Sequence, residues 1–167
     1  DITTVFERDV IHPFIGEYLV GRTPNPCIIC NRHVKFGFLY YHALKNGYDF
    51  LATGHYALIE KVNGRLVLKK PVDWSKDQTY FLYNIRQETL QRILFPLACL
   101  TKKEVIALSQ ELGFPAGKKP ESQDICFLPK GSYRDFIQHR TQLQRPGPII
   151  DLQGRIIGQH QGVFLYT

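Results

Sequence analysis

Three cysteines in polar surroundings are the residues of this chain best suited to chemistry. Two lie in Gly21-Arg22-Thr23-Pro24-Asn25-Pro26-Cys27-Ile28-Ile29-Cys30-Asn31, and the third in Ser122-Gln123-Asp124-Ile125-Cys126-Phe127. A structural cysteine usually sits in an apolar run. These stand among Asn, Pro, Ser, Gln and Asp, in what read as two polar loops, where a thiolate can meet a substrate. Cys27 and Cys30 form a C-x-x-C pair, which has three readings: half of a zinc site, a redox couple, or a catalytic cysteine with a distant partner. Cys126 is the candidate partner. Asp124 precedes it, Phe127-Leu128 follows, and Lys118 and Lys119 lie near enough in sequence to favour a thiolate. Cys99, inside Phe95-Pro96-Leu97-Ala98-Cys99-Leu100, is expected in the core.

The elements that must position these thiols are legible in outline. Val5 to Leu19 has apolar residues at helical spacing, interrupted by Pro13. Gly21 ends that segment, and the Pro-Asn-Pro run is extended because proline fixes φ and restrains its predecessor. A second helix is expected from Arg32 to Lys45, stopped by Asn46-Gly47. Phe50-Leu51-Ala52-Thr53 reads as a short buried strand ending at Gly54-His55. Helix, glycine turn and strand form half of a βαβ unit, whose ligands bind beyond the carboxyl ends of the strands. Gly54 would let a ligand approach the backbone. His55 is a candidate ligand-facing group or a satisfied structural histidine.

Further along, Asn63-Gly64 between two apolar runs signals a hairpin. Lys76 to Ile85 reads as a polar turn, with Asp77 as a cap, entering an aromatic-rich helix. Lys76, Asp77 and Gln78 are candidate contacts to phosphates or base edges. Thr101-Lys102-Lys103-Glu104 is a capping box for a helix closed by Gly113. Lys118 to Gln123 reads as a polar loop, and Ser132 to His139 as a short helix. Beyond Arg145-Pro146-Gly147-Pro148, short strands (Ile149-Ile150, Arg155-Ile156-Ile157, Val163-Phe164-Leu165) alternate with turns, which suggests the start of a β domain.

The chain has 167 residues, 44% hydrophobic and 22% charged, which is ordinary for a globular protein with a real core. Its apolar runs are far too short to span a bilayer. The formal net charge of +6 favours a polyanionic partner, nucleic acid above all. Four cysteines without a secretory signal argue for a reducing compartment. The chain holds no Met and ends in an apolar run, so it is expected to be an internal piece of a longer protein.

Taken in order, these motifs resemble the tRNA-specific 2-thiouridylases over nearly the whole chain. Gly21 to Pro26, Cys30-Asn31 and Val34-Lys35-Phe36 resemble that family's substrate loop. Leu51-Ala52-Thr53-Gly54-His55-Tyr56 is similar to its nucleotide-side strand end, and Lys76-Asp77-Gln78-Thr79-Tyr80-Phe81-Leu82 to a tRNA-contact segment. Phe95-Pro96-Leu97, Leu100-Thr101-Lys102 and Ser122 to Phe127 resemble its second cysteine region. Pro146 to Ile150 and Gly158-Gln159-His160-Gln161-Gly162 resemble the opening of its central β domain.

The resemblance implies an α/β fold: residues 1–143 as the C-terminal part of a Rossmann-like, PP-loop adenylating domain, and 144–167 as the start of a β domain. It implies a sulfurtransferase that replaces the C2 oxygen of the wobble uridine of tRNA. ATP, with Mg, would adenylate that oxygen and make AMP the leaving group. Cys126 would carry a persulfide received from a sulfur-donor protein, and Cys30 would close a disulfide with it. Gly54 would contact ATP. Asn25, Pro26 and Cys27 would line the target base, and His55, Lys76, Asp77 and Gln78 would face tRNA.

Many members carry Asp where Cys27 stands, and a thiol is a poor substitute for a carboxyl as acid or base at neutral pH. Cys27, Cys30 and Cys126 could instead hold an iron–sulfur cluster. The family's Ser-Gly-Gly-x-Asp-Ser loop does not occur here, so this chain alone is expected neither to bind ATP tightly nor to thiolate tRNA. The enzyme would be a bacterial cytoplasmic protein or a mitochondrial relative, with no membrane partner. A zinc-binding RNA-binding module and a thiol–disulfide oxidoreductase using Cys27 and Cys30 are the alternatives from other classes.

Overall fold

In the computed structural model, residues 1–114, 125–128, 132–141 and 145–166 are described. The chain divides into two compact units, one of Asp1–Pro26 with Ser122–Thr167 and one of Cys27–Glu121. The expected Lys118-to-Gln123 loop, Lys118 and Lys119 themselves, and the expected boundary at residue 144 lie outside the described residues.

The first unit is built on an unbroken helical run: α1 (Thr3–Phe6), a π-helical turn (Glu7–Ile11) and α2 (His12–Leu19). Pro13 was expected to interrupt this run and does not. A proline inside a helix lacks the N–H for the ladder, and its ring meets the carbonyl four residues back. Here the turn ahead of it is widened, with the His12 N–H reaching the Glu7 carbonyl five residues back. Phe14, Ile15 and Tyr18 pack with Ile137 of α7 (Tyr133–Thr141) and Phe164. Arg140 of α7 donates to both Glu7 carboxylate oxygens, at 3.0 and 2.8 Å.

Strands β5 (Gly147–Ile150) and β6 (Ile156–His160) form an antiparallel hairpin around a turn that includes Gln153 and Gly154. Asp151 closes it, accepting from the Gln153 and Arg155 amides at 2.9 Å each. Val163–Leu165, expected as a strand, is a 3₁₀ turn that buries Phe164.

The second unit starts with another long helical run. It comprises α3 (Pro26–Ile29, with its first residue at the unit boundary), a π-helical stretch (Cys30–Leu39) and α4 (Tyr40–Lys45). Strand β1 (Leu51–Ala52) follows the Asn46-Gly47 turn and pairs in parallel with β4 (Ile93–Leu94). The expected helix, glycine turn and parallel strand are therefore present. The strand is shorter and more open than expected: Phe50 and Ala52 are exposed. Among the described residues this pair has two strands, with Ile93 buried and Ala52 and Leu94 exposed.

The hairpin of β2 (Leu58–Val62) and β3 (Arg65–Lys69) turns on Asn63 and Gly64, with φ of 49° and 79°, as a two-residue type I′ loop requires. Lys76 to Ile85 forms two 3₁₀ turns (Trp74–Lys76 and Thr79–Phe81) where a helix was expected. Short helix α5 (Gln87–Leu90) leads into β4. The capping box at Thr101 is formed and starts α6 (Lys102–Glu111). Phe36, Ala57, Leu82, Ile93, Phe95 and Ala98 make this unit's core.

Helices α2, α4 and α6 end alike. Gly21, Gly47 and Gly113 take left-handed φ of 77°, 82° and 72°. Each N–H bonds the carbonyl three residues back, and the next N–H bonds the carbonyl five back. This paired closure needs a residue without a Cβ penalty at the turn.

Candidate functional site

Cys27 and Cys30 are on a helix, not in a loop. Pro26 opens that helix, a position where its missing N–H costs nothing. Asn25 immediately precedes it, at the position where asparagine caps well. The i, i+3 spacing puts both thiols on one helical face. Cys27 is exposed, Cys30 half-buried and Pro26 buried.

From Cys30 the helix runs on as π turns and is tied to the rest of its unit by two polar side chains. Asn31, 2% exposed, donates from Nδ2 to the Phe81 carbonyl at 3.0 Å. Lys35 Nζ lies 3.3 Å from His55 Nε2. His55 follows the carboxyl end of β1 and is 7% exposed, with its ring set between Phe36 and Phe95 at 5.8 and 6.0 Å. Its Nδ1 lies 2.8 Å from Thr53 Oγ1. Burial, with the Lys35 ammonium adding to it, pushes the imidazole down to about 4. His55 is thus neutral, accepting from Lys35 at Nε2 and donating from Nδ1 to the threonine hydroxyl. His55, expected to face tRNA, stands here behind Lys35 and holds that ammonium.

The Lys76–Gln78 segment closes the circuit. The Tyr56 N–H donates to Gln78 Oε1 at 2.9 Å, and the Gln78 N–H donates to the Tyr56 carbonyl at 3.0 Å. Gln78, expected to face tRNA, spends its side-chain carbonyl on its own protein. Asp77 accepts from the Thr79 N–H at 2.9 Å and from its hydroxyl at 2.7 Å, the capping role expected of it. The Phe81 N–H returns to the Gln78 carbonyl at 3.0 Å. One chain of hydrogen bonds thus joins the Cys30 helix, the strand end at Thr53–Tyr56 and the Lys76–Phe81 turns.

Gly54 is exposed at that strand end. A Cβ there would meet only Leu97, at 3.7 Å, so its backbone is open to a ligand. Asp73 escaped the sequence reading. It caps the Trp74–Lys76 turn through Ser75 and also accepts from the Lys102 N–H at 2.9 Å, which holds its carboxyl below the usual range. Its signal was an Asp two residues ahead of a serine.

Cys126 belongs to the first unit. The Leu128 N–H bonds the Ile125 carbonyl at 3.0 Å, making a tight turn with Cys126 at its second position. Ile125, Phe127 and Leu128 pack on the core. The Phe127 ring lies 5.7 Å from Phe6 and 5.1 Å from Phe14. The turn is anchored by its apolar neighbours and leaves the thiol exposed.

Cys99, expected in the core, is exposed as well. Two successive turns, Ala98 N–H to Phe95 carbonyl and Leu100 N–H to Leu97 carbonyl, bury Phe95 and Ala98 and turn Cys99 outward. None of the four cysteines is in a disulfide. Among the described residues no three His, Cys, Asp or Glu side chains gather where they could hold a metal, and Cys126 lies in a different unit from Cys27 and Cys30. Among the described residues no helix is long and apolar enough to cross a membrane.

A helix feeding through a glycine turn into parallel strands, with an open glycine at a strand's carboxyl end, is the Rossmann-like α/β arrangement of nucleotide-handling domains. Residues 1–130 match the family described as the tRNA methyl transferase HUP domain, and the chain belongs to that family. It is similar to the tRNA-specific 2-thiouridylase MnmA 1 of Syntrophus aciditrophicus (52% identical, over all of this chain and 45% of that protein). It is likewise similar to the tRNA-specific 2-thiouridylases MnmA of Moorella thermoacetica (49% identical, over 98% of this chain and 46% of that protein) and of Halothermothrix orenii (46% identical, over all of this chain and 47% of that protein). The chain spans about half the length of the curated relatives it matches.

Proposed function

We propose that this chain is the cysteine-bearing part of an ATP-dependent tRNA-uridine 2-sulfurtransferase acting on the wobble uridine. Besides the relatives' names, one observation carries the reading: the Asn31–Phe81 bond and the Tyr56–Gln78 pair join the Cys30 helix to the turns that resemble a tRNA-contact segment.

The C2 oxygen of a uridine cannot leave as oxide. Adenylation by ATP, handled near Gly54 with Mg, makes AMP the leaving group. Cys126 carries a persulfide delivered by a sulfur-donor protein. Cys30 thiolate attacks Cys126 Sγ, the S–S bond of the persulfide breaks, and the Cys30–Cys126 disulfide forms as hydrosulfide leaves with the electron pair. Hydrosulfide adds at C2 and expels AMP, and a dithiol reductant restores the two thiols. Cys27 lines the base, and the lysines at 35 and 76 meet its phosphates. The β5–β6 hairpin opens a β domain that begins near residue 144. The reaction belongs in the cytoplasm, where thiols stay reduced.

The test is mass spectrometry of wobble uridine from cells whose full-length protein carries Cys30→Ser or Cys126→Ser. Both should lose 2-thiouridine, whereas Cys99→Ser should keep it. Retained 2-thiouridine in the Cys126→Ser strain would refute the assignment. A second reading, a thiol–disulfide oxidoreductase, is favoured by C-x-x-C opening a helix. Peptide mapping of the oxidised protein separates the two: a Cys27–Cys30 bridge supports the oxidoreductase, a Cys30–Cys126 bridge the sulfurtransferase.

A further inference from the structure

A cavity of about 220 Å³ opens on the second unit, beside the π-helical stretch that begins at Cys30. Arg32, Arg86, Asn84 and Tyr41 are among its lining residues, and none of the lining residues is a carboxylate. Arg86 lies 3.9 Å from Glu88, too far for a strong pair, so both guanidiniums have donors to spare. Asn84 Oδ1 is buried with no donor within hydrogen-bond distance. A buried acceptor left unpaired costs roughly 1–3 kcal/mol, and turning the Asn84 amide into the cavity it lines would let a ligand hydroxyl or amine recover that.

Gly37 gives the cavity room. It carries no side chain, and a Cβ there would lie 2.9 Å from the Arg32 carbonyl oxygen. Two cations, one unpaired acceptor and an exposed tyrosine ring ask for an anionic ligand that also bears a hydrogen-bond donor and a stacking face. Such a volume is below the roughly 300 Å³ of small-molecule pockets, so it suits a sugar-phosphate with its base outside.

We propose that this cavity seats one ribose–phosphate unit of the RNA substrate. Arg32 and Arg86 take the phosphodiester oxygens, Asn84 Oδ1 accepts from the ribose 2′-hydroxyl, and Tyr41 stacks on the base. The 2′-hydroxyl contact makes the subsite a reader of RNA over DNA. The inference rests on the tRNA reading above and adds a contact lying outside the cysteine and Lys76–Gln78 segments.

The experiment measures binding of the full-length protein to an RNA anticodon stem-loop, to the same sequence as DNA, and to the RNA carrying single 2′-deoxy substitutions. Arg32→Gln should weaken RNA and DNA alike by about tenfold and flatten the salt dependence by about one phosphate. Asn84→Leu should weaken RNA alone. One 2′-deoxy position should reproduce that loss on the unaltered protein and cost nothing further on Asn84→Leu. The deoxy series needs no protein variant, so a misfolded Asn84→Leu leaves the test intact.

RNA binding that Arg32→Gln leaves unchanged, or a deoxy series without a sensitive position, overturns the subsite and leaves the sulfurtransferase reading standing. Displacement of the RNA by AMP at similar concentration overturns it in favour of a free-nucleotide site. Full-length protein that binds no RNA overturns both.

Discussion

His55 occupies the crossing point of the polar network, and its protonation state sets what that network can do. Both ring nitrogens are used, Nε2 toward Lys35 and Nδ1 toward Thr53, between the faces of Phe36 and Phe95. Protonating the ring would bury a charge and set it against the Lys35 ammonium, which is why the folded value falls to about 4. The unfolded ring titrates near 6.5. Above about 6.5 the ring is neutral in both states, and its contribution is fully present. Between 6.5 and about 4 the unfolded chain binds a proton that the folded chain refuses, so stability falls as pH falls, with a span of order 3 kcal/mol. Below about 4 that contribution is spent. We predict that His55→Gln, which can still reach one partner, flattens the acid limb of stability between about pH 6.5 and pH 4, read from urea midpoints. An imidazole signal titrating near its ordinary value in the native protein would contradict this assignment. The sequence showed a histidine at a strand end, where ligand groups collect. It did not show burial, because Lys35 and Phe95 reach that ring from positions 20 residues before and 40 after it.

The π-helical stretch from Cys30 to Leu39 is the element on which the site depends, since it carries Cys30, Asn31, Arg32 and Lys35. Its widened turns bring the Arg32 carbonyl over Gly37, and this reverses an ordinary rule. Replacing a helical glycine by alanine normally stabilises by about 0.5–1 kcal/mol, because alanine loses less backbone entropy. Gly16 in α2 has nothing within 4 Å of an added Cβ, so Gly16→Ala should stabilise by that amount. At Gly37 the added atom would sit 2.9 Å from a backbone oxygen, and the turn would have to shift. We therefore expect Gly37→Ala to destabilise by about 1–3 kcal/mol, in the same urea assay. Stabilisation by both substitutions would mean that residues 30–39 pass to an ordinary α-helix without cost.

Periodicity predicted a helix here and missed its start and its form. Cys27 and Cys30 look like loop residues because two prolines and an asparagine precede them, yet Pro26 is a helix opener. A π turn changes the closing carbonyl without changing which residue types appear, so a 3.6-residue pattern cannot register it. The same blindness made Pro13 look like a break. Features set by neighbours in sequence, namely the Asn63-Gly64 hairpin, the Thr101 capping box and the three glycine closures, were all legible. Cys99 was misplaced because an apolar neighbourhood says nothing of which way a turn faces.

Across the whole chain, the excess of positive charge bears on the partner instead of the fold. Six net charges spread over 167 residues would raise affinity for any polyanion only weakly. Grouped charges act differently, since each phosphate neutralised releases condensed counterions and adds about −0.7 to the log–log slope of affinity against salt for single-stranded nucleic acid. The proposed seat between Arg32 and Arg86 would add one such contact. The expected slope for an RNA anticodon stem-loop is therefore at least about −0.7 in steepness. Diffuse attraction by scattered lysines would give a slope that hardly responds to any single substitution. A titration at several salt concentrations, run on the parent chain and on Arg32→Gln, separates the two. A fall of about 0.7 in the slope on losing Arg32 marks a seated phosphate, and an unaltered slope would leave the positive charge with no particular place on RNA.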